Sequence, residues 1–452
     1  MTAPDPAAAD PAAADPAAAD PAAADPPAAV SGGPRRPRDF RLLWAGETIS
    51  LLGGSVAAVS LPLVAVVTLH AGTFATGLLT AAAWLPWLLV GLPAGAWVDR
   101  LPKRPLMLAC DPCAAAVFAT VPIAAWAGAL TMTHLIVAAA AGGVAQVFFT
   151  LAYRAYLPVL VGPERLLHAN TRLQGSESAA GVAGPGLAGV LAQAFGAVSG
   201  VLADAVSFVV SAVCLLCVRT REPRPARGAR RRLPAEIRDG LRFVAHDRYL
   251  RALAVFSAMS NISLMGYQPV RMVYLARDAG AGPGAIGVVL ALAGVGGVAG
   301  AALAGRIAGR FGTARGFLLC EAFAAPMLLL GPIGGGPAWF AAGGFGAGMG
   351  IVASNILTGT FRQRYSPAGL FGRITASTAA LNYGAIPLGG LLGGTLGELI
   401  GPRETLAVTA GLAILSVGVL LLGPFRPLRD FPGPARRDGL LAGGALSPGP
   451  PT

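Results

Sequence analysis

Lysine is all but absent from this chain: of its 34 basic residues only Lys103 is not arginine. Charge of either sign is scarce too, at 12% of 452 residues, where a water-soluble chain carries about a quarter. Too few polar side chains exist to cover a water-exposed surface, so lipid must be the solvent for much of it. Only four histidines occur, without metal-ligand spacing. No GxxxxGK[ST] string is present to cradle a nucleotide phosphate. Glycine-rich strings such as Gly294-Val-Gly-Gly-Val-Ala-Gly300 lack the preceding strand that a dinucleotide fold requires. These absences argue against an enzyme and against any cofactor. The cysteine pairs Cys110/Cys113 and Cys214/Cys217 lie inside apolar segments, where thiols pack rather than bind zinc or cycle redox state.

What is abundant is apolar sequence: 54% hydrophobic residues and a mean hydropathy of +0.64. Apolar stretches of membrane-spanning length recur from residue 42 to 424, each able to cross roughly 30 Å of hydrocarbon as a helix. Sixty-two glycines suit helices packed closely through small residues. The reading is an all-α membrane protein of twelve transmembrane helices in two six-helix halves, 38–218 and 250–425. A basic linker, 219–249, joins them. Residues 1–37 read as a disordered tail in which Asp-Pro-Ala-Ala-Ala repeats from Asp5 to Asp25, and regularly spaced proline prevents a continuous helix. Residues 426–452, rich in Pro, Gly and Arg, read as a second disordered tail. The polar N-terminus and a first apolar run of full spanning length lead to the expectation of no cleavable signal.

Sidedness follows from the arginines. With the N-terminus in the cytoplasm, all basic residues but Arg271, Arg277 and Arg403 fall on the cytoplasmic side, as the positive-inside rule requires. Both termini are thus expected in the cytoplasm of a cell that carries the chain in its inner membrane. The net charge of +12 is spent on orientation, not on nucleic acid.

The halves repeat one another. Gly95-Ala-Trp-Val-Asp99-Arg100-Leu-Pro-Lys103-Arg104 joins spans 2 and 3, and about 210 residues later comes Gly305-Arg-Ile-Ala-Gly309-Arg310-Phe-Gly312-Thr-Ala-Arg315. Tyr156-Leu-Pro158 leads into span 5 as Tyr365-Ser-Pro367 leads into span 11. Duplication of this kind implies two facing bundles with a site between them near the midplane.

The first charged turn resembles the motif between helices 2 and 3 of major facilitator superfamily transporters: Gly95, then Asp99-Arg100, then the basic pair Lys103 and Arg104. Further strings are similar to the drug–proton antiporter branch that includes macrolide-efflux proteins and the enterobactin exporter. They are Arg38-Asp-Phe-Arg-Leu-Leu-Trp44, Ser50-Leu-Leu-Gly53, Leu166-Leu-His-Ala-Asn170, Asp204-Ala-Val-Ser-Phe208 and Gly372-Arg373. The resemblance runs from about residue 38 to 425 and implies the major facilitator fold and proton-driven export of a bulky organic molecule. It also implies a chain that acts as a monomer. Gly181, Gly184, Pro185 and Gly189 of span 5 resemble the branch's antiporter motif, though Ala180 stands where one glycine is expected. Two departures make the N-terminal interior more acidic: Ala114 replaces an arginine often found three residues after Asp111, and Glu47 stands where Gln is commoner.

A carboxylate at a helix N-terminus is stabilised by free N–H groups, by up to about 2 kcal/mol. If the halves pack as the resemblance implies, Asp99 meets the start of span 11 and Arg100 pairs with a nearby acid, latching the cytoplasmic side. Lys103 and Arg104 read more simply as topology signals. Acids embedded in spans are costly and are functional candidates by default; Asp111 leads the proton-coupling candidates, followed by Asp204 and Glu47, with Glu177 and Glu321 also embedded. For Asp204 a structural hydrogen bond is the stronger account. Arg271 is expected to reach the interface beside Tyr274. Gln146, Tyr153, Asn261, Tyr267, Gln268, Asn355, Asn382 and Tyr383 are candidates to line a mostly apolar cavity for a small-molecule substrate. An uptake permease of the same fold, or a membrane receptor or scaffold that transports nothing, remains the alternative, and substrate identity is not encoded legibly.

Overall fold

The computed structural model describes residues 37–98, 100–220, 242–366 and 371–433. Among them no strand occurs, and the chain builds twelve helical rods. In the N-terminal half these are α1 (Pro37–Leu63, continued by a π-helical turn, Val64–Thr68), α2 (Thr73–Leu89, resuming as Gly91–Val98), α3 (Lys103–Trp126), α4 (Met132–Val161), α5 (Pro163–Phe195) and α6 (Ser199–Leu216). The C-terminal half has α7 (Arg248–Arg277), α8 (Pro283–Phe311), α9 (Thr313–Met327, resuming as Leu330–Gly334), α10 (Pro337–Tyr365), α11 (Phe371–Leu399) and α12 (Pro402–Leu421). Nine helices among the described residues are long and apolar enough to cross a membrane. The other three are α2, shortened by its break, and α7 and α11, whose 30 and 29 residues include polar or glycine-rich stretches.

Both breaks have the same cause. Pro93 cannot donate to the carbonyl of Leu89, and Pro332 cannot donate to that of Leu328, so α2 and α9 lose a helical bond where they interrupt. Elsewhere helices outrun the apolar segments. Polar residues Glu164, Arg165 and His168 mark a loop by hydropathy, yet α5 starts at Pro163, directly after Gly162 at φ 75°. A helix satisfies its own backbone bonds wherever it lies, so it persists past the hydrocarbon into water.

Within the N-terminal half α1 packs on α5 and α6, and α3 on α4 and α6; within the other, α8 and α9 pack on α10, and α7 on α11 and α12. The halves meet along two seams, α2 with α11 and α5 with α8. Glycines set those seams. A Cβ on Gly77 would lie 3.0 Å from the Cα of Gly394, and one on Gly189 would lie 2.8 Å from the Cα of Gly287. Backbones approach this closely only where both sides lack a side chain.

The repeat extends to its tethers. Asp39 at the start of α1 is buried and accepts bonds from the Arg219 amide at 3.2 Å and the Thr220 hydroxyl at 2.7 Å. Tyr156 donates to the Thr220 carbonyl at 3.3 Å. In the other half Asp247 caps α7 through the amides of Tyr249 and Leu250 and accepts from the Tyr365 hydroxyl at 2.6 Å. The two repeat-related tyrosines thus fasten corresponding ends of their halves.

One boundary needs correction. Residues 426–433, read as the start of a disordered tail, fold back onto the second charged turn. Asp430 accepts from the Thr313 amide at 2.8 Å, and the Arg429 carbonyl accepts from the amides of Ala314 and Arg315. Phe431 stacks on Phe361 and packs against the fully buried Phe425. Two aromatic anchors outweigh the Pro/Gly/Arg composition around them. The remaining tail residues, the 1–36 repeats and 221–241 of the linker lie outside the described residues.

Candidate functional site

Three of the sequence candidates converge between α1, α3 and α4. Asp111 is 1% exposed, hydrogen bonds Ser211 of α6, and leaves its Oδ2 without a partner. Glu47 of α1 feels the charges of Asp111 and of Glu177 on α5, and its Oε2 is likewise unpartnered. Tyr153 of α4 lies within the electrostatic reach of Glu47 and Glu177; its hydroxyl is buried without a bond and its ring stacks on Phe149. Orphaned buried oxygens each cost on the order of 1–3 kcal/mol.

Asp204 stands apart. It lies on α6 two turns from Ser211, receives a bond from Ser207 at 3.3 Å, and packs on Gly53, where a Cβ would come 2.8 Å from its Oδ1. That placement ties α6 to α1.

The cavity candidates divide. Asn382 accepts from Ser257 at 3.0 Å across α7 and α11, and Asn261 donates to the Ser257 carbonyl. Tyr383 stacks on Trp87 at 5.0 Å and Trp84 at 6.3 Å, joining the two halves across the α2–α11 seam. Sequence reading missed both tryptophans as seam residues. Gln146, Gln268 and Asn355 are exposed, Gln146 bonding Thr150 and Gln268 touching the Met265 sulfur. Tyr267 is a correction: it is 3% exposed and donates to the Leu328 carbonyl at 3.0 Å, so it binds α7 to α9 inside one half. Arg271 sits over the Tyr267 ring, and the Tyr274 hydroxyl donates to the Gly335 carbonyl.

In the first charged turn, Asp99 lies outside the described residues, as do the side chains of 371–373 at the start of α11. Arg100 is exposed, and the Lys103 ammonium donates to the Leu101 carbonyl at 2.9 Å. Arg104 has a structural role that sequence reading assigned to topology alone. Its guanidinium donates to the last carbonyls of α6, Leu215 at 3.3 Å and Leu216 at 3.1 Å. A cation there meets the negative end of the helix, a stabilisation of about 0.3–2 kcal/mol. Arg104→Ala is expected to lower the thermal midpoint of the purified protein and Arg104→Lys to recover part of it; equal midpoints for all three would contradict the cap.

Gly184 of α5 lies against Ser55 of α1, while Gly189 of the same helix lies against Gly287 of α8. Pro185 contributes its carbonyl to that second contact, 2.9 Å from where a Cβ on Gly287 would sit, and the Gly181 carbonyl lies 3.1 Å from where a Cβ on Gly294 of α8 would sit. The motif therefore runs against α8 of the opposite half from Gly181 to Gly189.

At the end that bears the loops 69–72, 196–198, 278–282 and 400–401, the halves are joined by hydrogen bonds. Thr73 donates to the Gly394 carbonyl at 3.1 Å, the Phe74 amide to Glu398 at 3.2 Å, Arg277 to the Ala71 carbonyl at 2.8 Å, and the Gly284 amide to Gln193 at 3.2 Å.

Twelve helices in two facing halves, glycine seams between them and acids in the apolar interior define a major facilitator transporter. The chain belongs to the transmembrane secretion effector family, whose family model matches residues 30–431. It is 28% identical over 403 residues to an uncharacterized MFS-type transporter, y4rN, of Sinorhizobium fredii (strain NBRC 101917 / NGR234), covering 84% of this chain and 95% of that one. It is 27% identical over 366 residues to the multidrug efflux pump Tap of Mycolicibacterium fortuitum, covering 77% and 87%. Among solved structures it superposes on a bacterial homologue of the iron transporter ferroportin in its inward-facing state with a TM-score of 0.68, at 18% identity over 85% of this chain and 98% of that one. Against the outward-facing state of a bacterial ferroportin homologue the TM-score is 0.54, at 19% identity and the same coverage. The protein is a multi-pass membrane transporter, and transporters of this fold bind small-molecule substrates within the membrane.

Proposed function

We propose that the protein exports a bulky organic compound, a drug, antibiotic or siderophore-like metabolite, from the cytoplasm in exchange for protons, alternating between inward- and outward-open states. The observation that carries this reading is the Glu47–Asp111 pair. Two carboxylates that share an apolar site and leave oxygens unpaired cannot both hold charge without large cost, and a proton relieves it. Proton arrival and departure then becomes the event that the surrounding helices feel. Tyr153, within electrostatic reach of Glu47, places a phenol of α4 on the same side of the interior.

Export rather than uptake is supported by the relation to Tap and by the span-5 motif. With both termini in the cytoplasm, the sealed end of the seams, the one joined by those hydrogen bonds, faces outward. The better superposition on an inward-facing neighbour agrees with that assignment. In this state substrate enters from the cytoplasm or the inner leaflet, and Trp84, Trp87 and Tyr383 offer an aromatic surface that spans both halves. Such rings suit planar or cationic organic groups. The transporter works as a monomer in the inner membrane.

Asp99 and Arg100 form the latch that closes the cytoplasmic end when the outer end opens. Asp99→Asn is expected to cut transport while leaving the protein in the membrane at wild-type abundance. Full transport by that variant contradicts the latch.

A further inference from the structure

Glu321 is a buried acid that the proposed mechanism does not use. It lies 210 residues after Asp111, the same offset that separates Gly95 from Gly305, and each acid is the ninth residue of its helix, α3 from Lys103 and α9 from Thr313. The duplication therefore places a carboxylate at the same depth in both halves. Glu321 is 7% exposed and shares a hydrogen bond with Ser354 of α10.

Donor counting constrains that bond. The Ser354 hydroxyl has one proton and two acceptors in reach, Glu321 Oε1 and the Ile351 carbonyl at 3.1 Å. With Glu321 protonated both contacts are satisfied, Glu321 donating to Ser354 while Ser354 donates to Ile351. Beside the carboxyl is a cavity of about 20 Å³ lined also by Ser260 and Ser263 of α7 and Ser416 of α12, room for one water molecule. Ser263 donates to the Thr409 carbonyl at 2.6 Å and Ser416 to the Ala413 carbonyl at 2.7 Å, so both turn lone pairs toward the cavity. Such a space suits a water that bridges the serine hydroxyls and the Glu321 carboxyl. Among the residues that line it from α7, α9, α10 and α12, Glu321 is the one titratable group; Cys320, its neighbour on α9, is within electrostatic reach.

We propose that Glu321, with Ser354 and a water in this cavity, is a second exchangeable proton site, located in the C-terminal half. It stands alone, whereas Asp111 is coupled to Glu47, so the two sites load independently. The inference extends the proton-exchange reading, and its test reads proton binding rather than transport, which keeps the two separable.

The experiment is a pH titration of the full-length protein in lipid nanodiscs, followed by infrared difference spectroscopy of the protonated-carboxyl C=O stretch. Glu321→Gln is expected to remove one titrating component and to leave the component that Asp111→Asn removes. Ser354→Ala is expected to shift the Glu321 component along the pH axis, and Ser354→Thr, which keeps the hydroxyl, to restore it; this pair carries the test if Glu321→Gln misfolds. An unchanged difference spectrum in Glu321→Gln, or no shift in Ser354→Ala, overturns the proposal. Displacement of the component on replacing choline by sodium also overturns it, in favour of a metal cation. Loss of the Asp111 component alone from the account would sink the primary carrier and leave Glu321 standing.

Discussion

Asp111→Asn is expected to reduce gradient-driven export to the level of cells that lack the protein, with the variant still folded and in the membrane. The amide matches the carboxylate in shape and can keep the bond to Ser211, so α3 and α6 stay joined. What it loses is the ability to gain and release a proton. Glu47 would then sit beside a neutral neighbour, and the charge conflict that couples protonation to helix movement would vanish. Asp204→Asn provides the contrast: Asp204 is seated against Gly53 and Ser207, and its amide variant is expected to retain most transport and to lose stability instead. Measuring drug accumulation alongside membrane abundance for both variants separates the roles. Wild-type export by Asp111→Asn would remove this residue from the coupling mechanism.

Gly189→Leu is the second large effect, and it acts on conformation. A single Cβ at Gly189 would already meet the Cα of Gly287 at 2.8 Å and the carbonyl of Pro283 at 3.0 Å. Backbone cannot yield as a flexible side chain does. Overpacking of this kind costs about 1–3 kcal/mol, which corresponds to roughly a 5- to 150-fold shift in a two-state equilibrium. The cost falls on the state in which α5 and α8 touch at the sealed end, because separating the halves relieves it. Gly189→Ala should show the same change at smaller size. Pulsed-EPR distances between labels in the 69–72 and 400–401 loops read the result: a longer-distance population is expected to grow from wild type to alanine to leucine. An unchanged distribution would mean that the glycine contact does not hold this end shut.

Much of the fold was legible because membrane-spanning length is a simple physical requirement, and the duplicated turn announced the two halves. Helix ends were less legible. Hydropathy stops at Glu164 and Arg165, while the backbone of α5 continues through them. The C-terminal boundary was misplaced because Phe425 and Phe431 are two residues in a stretch whose composition otherwise signals disorder.

The site was legible as residue types and not as partnerships. Asp111 stood out as an embedded acid, but its bond to Ser211 joins positions one hundred residues apart, and no local pattern announces it. Tyr267 and Tyr383 look alike in sequence; one is locked to Leu328 inside a half and the other stacks across the seam. Helical phase could have sorted them only with the neighbours known. Glu321 offered a signal that was readable, its 210-residue offset from Asp111, since the charged turn had already revealed that spacing.

The central claim is export driven by proton exchange. A resistance screen across antibiotic and siderophore classes supplies a transported compound, and its accumulation is then followed in cells with and without the protein, before and after the proton gradient is collapsed. The account expects lower accumulation in cells carrying the protein and loss of that difference once the gradient is gone. Higher accumulation with the protein present would contradict export, and a difference that survives collapse of the gradient would contradict proton coupling.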